Sequence, residues 1–414
     1  MTNVEQGKVF ASVLSRCRAF SRARKAVAVT IAALSFAAVS VVTVGAVNVL
    51  SSRAPSIRPT GTSEVPWVVP HDQGGAPVVP GAGGTSGGFI GVSCPSANDC
   101  VAVGSDGAQG GVASTTDNGG GTWSQGALAS GEPVLEAVDC SSTSLCVAVG
   151  QGASVRSTDG GATWASSSLP TSNTTLLGVD CPSASLCVSV GVSPGNAGPY
   201  AGQLLVSSDG GASWSVPSLP ASLGALGSVA CPTSTFCVSV GASIVVSNNG
   251  GQTWSPRTVR GGTGVLRSVS CQTATTCVAI GANPAVAQNP HAAAFEDVTT
   301  DGGATWTSVA MPSGSATLSQ LSCSSTACQA AGTAYNGAAA PVLVTNDGGA
   351  QWSADSSIDS SLTAVNALSC NTGANCVFVG ENGKSPVTVS TVGGVVSESS
   401  PVSALVRTQK DVAR

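Results

Sequence analysis

The chain has 414 residues, of which 52 are glycine, 9% charged and 4% aromatic, with a formal net charge of −5. So much glycine suits tight turns and excludes a predominantly helical protein. From Ser51 onward ten basic side chains stand against twenty acidic ones, a balance of 10 − 20 = −10. That balance argues against a nucleic-acid partner, because phosphate binding needs a basic surface.

Residues 1–25 carry Lys8, Arg16, Arg18, Arg22, Arg24 and Lys25 against Glu5, which is 6 − 1 = +5. An uncharged run follows to Arg53, apolar from Ala26 to Val47. Its roughly 22 residues would span about 33 Å as a helix, enough for a bilayer core. A basic stub before a greasy run and an acidic body after it is the polarity of a single-pass anchor with its C-terminal part outside the cytoplasm. We therefore expect a cytoplasmic segment at 1–25, a transmembrane helix at 26–50 and localisation at the cell membrane. The alternative is a cleaved signal peptide, for which Val44-Gly45-Ala46 offers small residues. Both readings place the rest of the chain outside. The few lysines beside arginines, with abundant Ala, Val and Gly, suggest a GC-rich bacterial genome.

Residues 51–87 read as a Pro/Gly-rich linker. Beyond it, the fourteen cysteines fall into seven close pairs: Cys94/Cys100, Cys140/Cys146, Cys181/Cys187, Cys231/Cys237, Cys271/Cys277, Cys323/Cys328 and Cys370/Cys376. Cys17 lies alone before the apolar run. An even set outside a membrane reads as disulfides in an oxidising compartment. Zinc is the competing use, but the only histidines are His71 and His291. No metal and no cofactor is expected. The bridges are expected to hold register in Gly/Ser-rich strands that otherwise slip easily.

Each pair opens the same phrase. In the third copy it runs LLGVDC, PSASL and CVSVG, then QLLV and SSDGGASW ending at Trp214. Alternating apolar residues between Gly, Ser and Pro turns mean short strands, four per repeat. Repeats of some 45 residues cannot bury a core alone, and stacking them radially gives a β-propeller. The expectation is an all-β, seven-bladed propeller over residues 88–396, with one Cys pair closing the first hairpin of each blade and a tail at 397–414.

The pattern S/T-x-D-x-G-x-x-W ends the third strand. Its marked positions are Asp159 and Trp164, Asp209 and Trp214, Asp301 and Trp306, and Asp347 and Trp352, with Asn249 and Trp254 in a variant copy. The first copy, STTDNGGGTW, is read with Asp117 and Trp123 and inserted residues. A carboxylate at the third position accepts turn N–H groups, the glycines take positive φ, and the Trp wedges against a neighbouring blade. The seventh copy has Val392 and Ser397 in the Asp and Trp slots. The segment 64–70, EVPWVVP, is a candidate for the outer strand of blade seven, with Trp67 as the substitute wedge.

These boxes resemble the Asp-box of bacterial neuraminidase repeats. The fuller phrase, with CVAVG before STDGGATW, resembles photosystem II assembly-factor-like propellers over residues 88–396. The resemblance implies the propeller fold. It also implies one of several functions, since sialidases, cellulose- and xyloglucan-degrading enzymes, sorting receptors and assembly factors all carry the box. A sialidase would bring an arginine triad, yet the repeats hold only Arg156, Arg257, Arg260 and Arg267. A glycosidase needs two carboxylates across a cleft. Asp139 and Asp180 are the only acids outside the boxes recurring at one strand position, and there they suit hydrogen-bonded strand ends.

Loop length gives a further clue. From the second Cys to the box the offset varies from 10 to 22 residues, so the variation lies between the second and third strands. In a propeller those loops share one face, opposite the disulfide turns and the boxes, and insertions confined to one face mark a binding face. They carry the candidate binding residues Tyr200, His291, Phe295, Glu296, Asp297 and Tyr335, and no catalytic residue is assigned. The expected function is non-catalytic recognition or scaffolding of a protein or glycan outside the cytoplasm. The alternatives are an Asp-box glycoside hydrolase and an assembly factor for a membrane complex.

Overall fold

The structure, a computed structural model, describes residues 87–399 apart from 109, 172, 195–199, 259–264, 283–293, 313–314, 316–317, 334–338, 359–361, 374, 384 and 393–394. The expected cytoplasmic segment 1–25, membrane span 26–50, linker to 86, Cys17, Trp67, His71, His291, Tyr335 and the tail from 400 lie outside these residues. Among the described residues no helix is long and apolar enough to cross a membrane.

Seven antiparallel sheets follow one another along the chain, at 88–125, 135–166, 175–207, 226–257, 265–310, 318–354 and 364–399. Six have four strands in sequence order, and the third has three, its outer edge reduced to one bridge between Val206 and Ser215. The first strands of consecutive sheets contact one another, and the last contacts the first, so they form the inner wall of a closed ring. The fold is the expected all-β, seven-bladed propeller.

Second strands that are apolar on both faces make this possible. In Cys146–Gly150 (CVAVG) and its six counterparts both faces of the second strand are buried, because each blade is sandwiched between two others. Seven apolar clusters result, and each joins a blade to its predecessor. Trp164 of blade 2 packs on Val101, Val103 and Ala113 of blade 1, and Trp306 of blade 5 on Val238, Val240 and Val246 of blade 4. Trp123 of blade 1 packs on Ala367, Val377 and Val379 of blade 7, so the same wedge closes the ring. Its indole N–H also donates to Thr388 Oγ1 of blade 7.

Blade 7 departs from the sequence expectation. Its outer strand is Val395–Ser399, which pairs with Ser385–Val392 in the place expected for residues 64–70. Val392 pairs with Val395, so a direct hairpin replaces the box turn. Among the described residues no Trp serves the interface with blade 6. Ile358 and Leu362, from the connection between the two blades, fill it together with Val396.

The seven disulfides join the cysteines as the sequence pairs them: Cys94–Cys100, Cys140–Cys146, Cys181–Cys187, Cys231–Cys237, Cys271–Cys277, Cys323–Cys328 and Cys370–Cys376. Their Cα–Cα distances are 4.0–4.1 Å, and each staples the hairpin between first and second strands. The sequence presents them as register staples alone, and the structure corrects that view. Their second-strand members, Cys100, Cys146, Cys187, Cys237, Cys277, Cys328 and Cys376, are each at most 1% exposed. Each lies in a different one of the seven interblade clusters. A sulfur so placed is core packing as well as cross-link, and it belongs to no binding surface.

Six box turns dock on the stapled turns through a backbone bond within their own blade, for example Gly160 N–H to Ser144 O and Gly210 N–H to Ser185 O. Disulfide turns and box turns therefore share one face. The connections between second and third strands leave from the other.

Candidate functional site

The box turns are built as their chemistry suggests, and they are structural. In blade 2, Ser157 Oγ donates to Asp159 Oδ1 and accepts the Gly161 N–H. Asp159 Oδ1 also accepts the Thr163 N–H, while Thr163 Oγ1 donates to Oδ2. The equivalent bonds from Ser213 and Thr305 hold the carboxyls of Asp209 and Asp301 down at about 2. One assignment is corrected. In the first copy the slot belongs to Asn118, which accepts the Thr122 N–H and the Thr116 hydroxyl. Asp117 is exposed at the variable position before it, and no residues are inserted, because the slot lies five residues before Trp123 as Asp159 does before Trp164.

The loop-face residues fare differently. Phe295, Glu296 and Asp297 are not in a loop but open the third strand of blade 5, Phe295–Thr299. Glu296 and Asp297 have no exposed surface, and Phe295 packs on the core, so these three are removed from the binding face. Glu296 Oε2 accepts the Trp352 indole N–H across the blade 5–6 interface, and burial pushes its carboxyl up to about 8. Asp297 accepts the Ser308 hydroxyl and is raised by burial. Tyr200 begins the third strand of blade 3, opposite Pro194.

Asp139 and Asp180 are hydrogen-bonded strand ends. Asp139 Oδ2 accepts the Cys181 N–H of the next blade and Asp180 Oδ2 the Cys231 N–H. Ser93, Ser270, Ser322 and Ser369 do the same for Cys140, Cys323, Cys370 and Cys94. At the seventh position the residue is Ala230, which has no side-chain acceptor to offer Cys271. This girdle ties the inner strands together at the disulfide end. Burial raises both carboxyls, and the charge of Asp139 raises Asp180 further.

The sequence reading missed the other end of the same strands. In every blade the inner strand carries a β-bulge one residue after its pairing with the final glycine of the second strand. The glycine is required there. A Cβ on Gly104, Gly150, Gly191 or Gly380 would lie 2.0 Å from the carbonyl oxygen of the residue before its partner on the inner strand. The G that ends CVAVG is thus the mark of a bulge. Each bulge turns its extra residue toward the axis: Ile90, Glu136, Leu177, Gly227, Arg267, Ser319 and Asn366.

These seven residues ring an axial channel of about 310 Å³, near the loop-face end of the inner strands. Glu136 and Arg267 are the charged residues in its wall. Glu136 is 5% exposed; its Oε1 accepts from Gln151 Nε2, its Oε2 is buried without a partner, and burial pushes the carboxyl up to about 7. Arg267 has no hydrogen bond or ion pair among the described residues, and its partial burial lowers its pKa. Arg156 and Arg257, by contrast, donate to the carbonyls of Gly210 and Pro256.

No protein-family model and no curated protein matches this sequence. Its fold does match solved structures. One is "YCF48 bound to D1 peptide", at 16% identity and a TM-score of 0.52, covering 73% of this chain and 93% of that one. Another is YCF48 from Cyanidioschyzon merolae, at 16% identity and a TM-score of 0.50, covering 74% and 95%. A GH74 xyloglucanase from Xanthomonas campestris matches at 15% identity and a TM-score of 0.52, covering 76% of this chain and 54% of the enzyme. What these structures share with the present chain is the propeller fold.

Proposed function

We propose that the chain is a non-catalytic recognition scaffold that binds a protein or peptide through the face opposite its disulfides, held outside the cytoplasm by the apolar segment 26–50. One observation carries this reading: the two faces are built differently. On one, disulfide turns and box turns are bonded to each other in six blades. On the other, connections range from two residues at 242–243 to twelve at 283–294. A face where length varies freely on a rigid ring is where a partner is accommodated. The similar fold solved with a bound peptide supports a peptide or protein as the partner. Hydrolysis has less support, because Asp139 and Asp180 already accept backbone N–H groups on adjacent blades rather than facing each other across a cleft. The test is affinity capture from a cell-envelope extract with the full chain as bait, beside a variant whose long connections on this face are shortened. The reading predicts partners that the shortened bait loses.

A further inference from the structure

The two charged residues of the axial channel, Glu136 and Arg267, stand on inner strands rather than on the connections of the loop face. Arg267 is a half-buried guanidinium with no acceptor among the described residues. A charge taken partly out of water and left unpaired is costly, so a structural role would have supplied it with a carboxylate or carbonyl. The one acid in the channel wall is Glu136, three blades away in a ring of seven, and no ion pair joins them. Burial raises the Glu136 carboxyl to about 7, and no ion pair joins it to Arg267, so the guanidinium is not paired from across the channel. Beside Arg267 there is room. The bulge residue of the preceding blade is Gly227, and a Cβ there would meet only the Arg267 carbonyl oxygen, at 3.6 Å. The rest of the bulge ring adds apolar surface at Ile90 and Leu177.

We infer that the axial channel is a binding site for a small aliphatic carboxylate, its carboxylate held by Arg267 and its apolar body seated beside Gly227 against the channel wall. A guanidinium takes a carboxylate through two parallel hydrogen bonds, and the bond is strong where water is scarce. A single cation suits a single negative charge; a phosphate would bring nearly two into a channel that also holds a carboxyl. A volume of about 310 Å³ is that of a small-molecule site and not of a folded partner.

Thermal unfolding of the full chain with isovalerate, and with isovaleramide as its uncharged isostere, tests this. Isovalerate should raise the melting temperature of the wild type saturably, following the logarithm of ligand over Kd, and isovaleramide should not. R267M relieves an unpaired charge, so it should melt at or above the wild-type temperature while losing at least about tenfold in isovalerate affinity. G227L fills the open space at Gly227 without removing the charge of Arg267 and should lose the response as well. A wild type that ignores isovalerate would overturn the inference. So would equal stabilisation of R267M, or a G227L variant that responds as the wild type does.

Discussion

Glu136 and Glu296 are carboxylic acids held where their charged forms are poorly solvated. Burial pushes them to about 7 and about 8, from 4.5, so the folded chain holds protons that the unfolded chain releases. Their contribution is full below about pH 4.5 and is lost as the pH rises through 7 and 8. Asp209 and Asp301, held down at about 2, work in the opposite sense: their contribution is present above about pH 4 and lost as the pH falls toward 2. Stability should therefore peak around pH 4 to 5 and decline toward pH 8. Melting temperatures of the wild type and of E136Q/E296Q across that range check this. The double variant should show a flatter decline, Glu136 alone accounting for on the order of 3 kcal/mol at the alkaline end. Equal slopes would contradict the assignment.

The glycine ending each second strand is the other residue that decides local structure. A Cβ on Gly191 would lie 2.0 Å from the Thr175 carbonyl oxygen and 2.8 Å from the Leu176 Cα, both backbone atoms of the paired inner strand. Gly191→Ala should cost several kcal/mol in urea unfolding, on the order of 2–4, by forcing the bulge of the inner strand to open. At Gly227, on the bulge itself, a larger residue meets open space and should cost little.

At the scale of the element, the box turn is a local hydrogen-bond device whose slot is set by its distance from the Trp. N118A removes the acceptor for the Thr122 N–H and the Thr116 hydroxyl and should cost about 1 kcal/mol. D117A changes an exposed side chain and should leave the melting temperature unmoved. The pair of variants tests the slot assignment directly. In the first copy an acid stands one place before the true slot and draws the assignment to itself; counting back five from Trp123 finds Asn118 instead. The strands, the disulfide hairpins and the Trp wedges were legible because they follow spacing and alternation. The bulges were not, although each shifts the alternation of its inner strand, so that core residues such as Leu135, Val138 and Cys140 stand three and then two positions apart. The glycine closing CVAVG is a second signal, and only the inner-strand carbonyl facing it shows why it must be glycine. The long interval from Cys277 to the box places Glu296 and Asp297 on the connection, whereas they are buried on the third strand and accept from Trp352 and Ser308.

At the scale of the molecule, the ring closes through the interface of blades 7 and 1, where Trp123 does for closure what Trp164, Trp214, Trp254 and Trp306 do between consecutive blades. W123A should cost roughly 3–5 kcal/mol and, because it severs the contact between the two ends of the array, should broaden the unfolding transition more than W254A. Coincident broadening in both would deny closure any special weight. Two faces with different construction follow from the same meander, one tied by disulfide and box turns, the other free to vary.

The division of labour between those faces is tested most directly by capture. The full chain and a variant with the connections at 195–199, 283–294 and 333–341 cut to the two-residue length found at 242–243 would be offered the same envelope extract. A recognition face there predicts partners retained by the full chain and lost by the shortened one, with melting temperatures alike. Identical capture by both folded baits would contradict it.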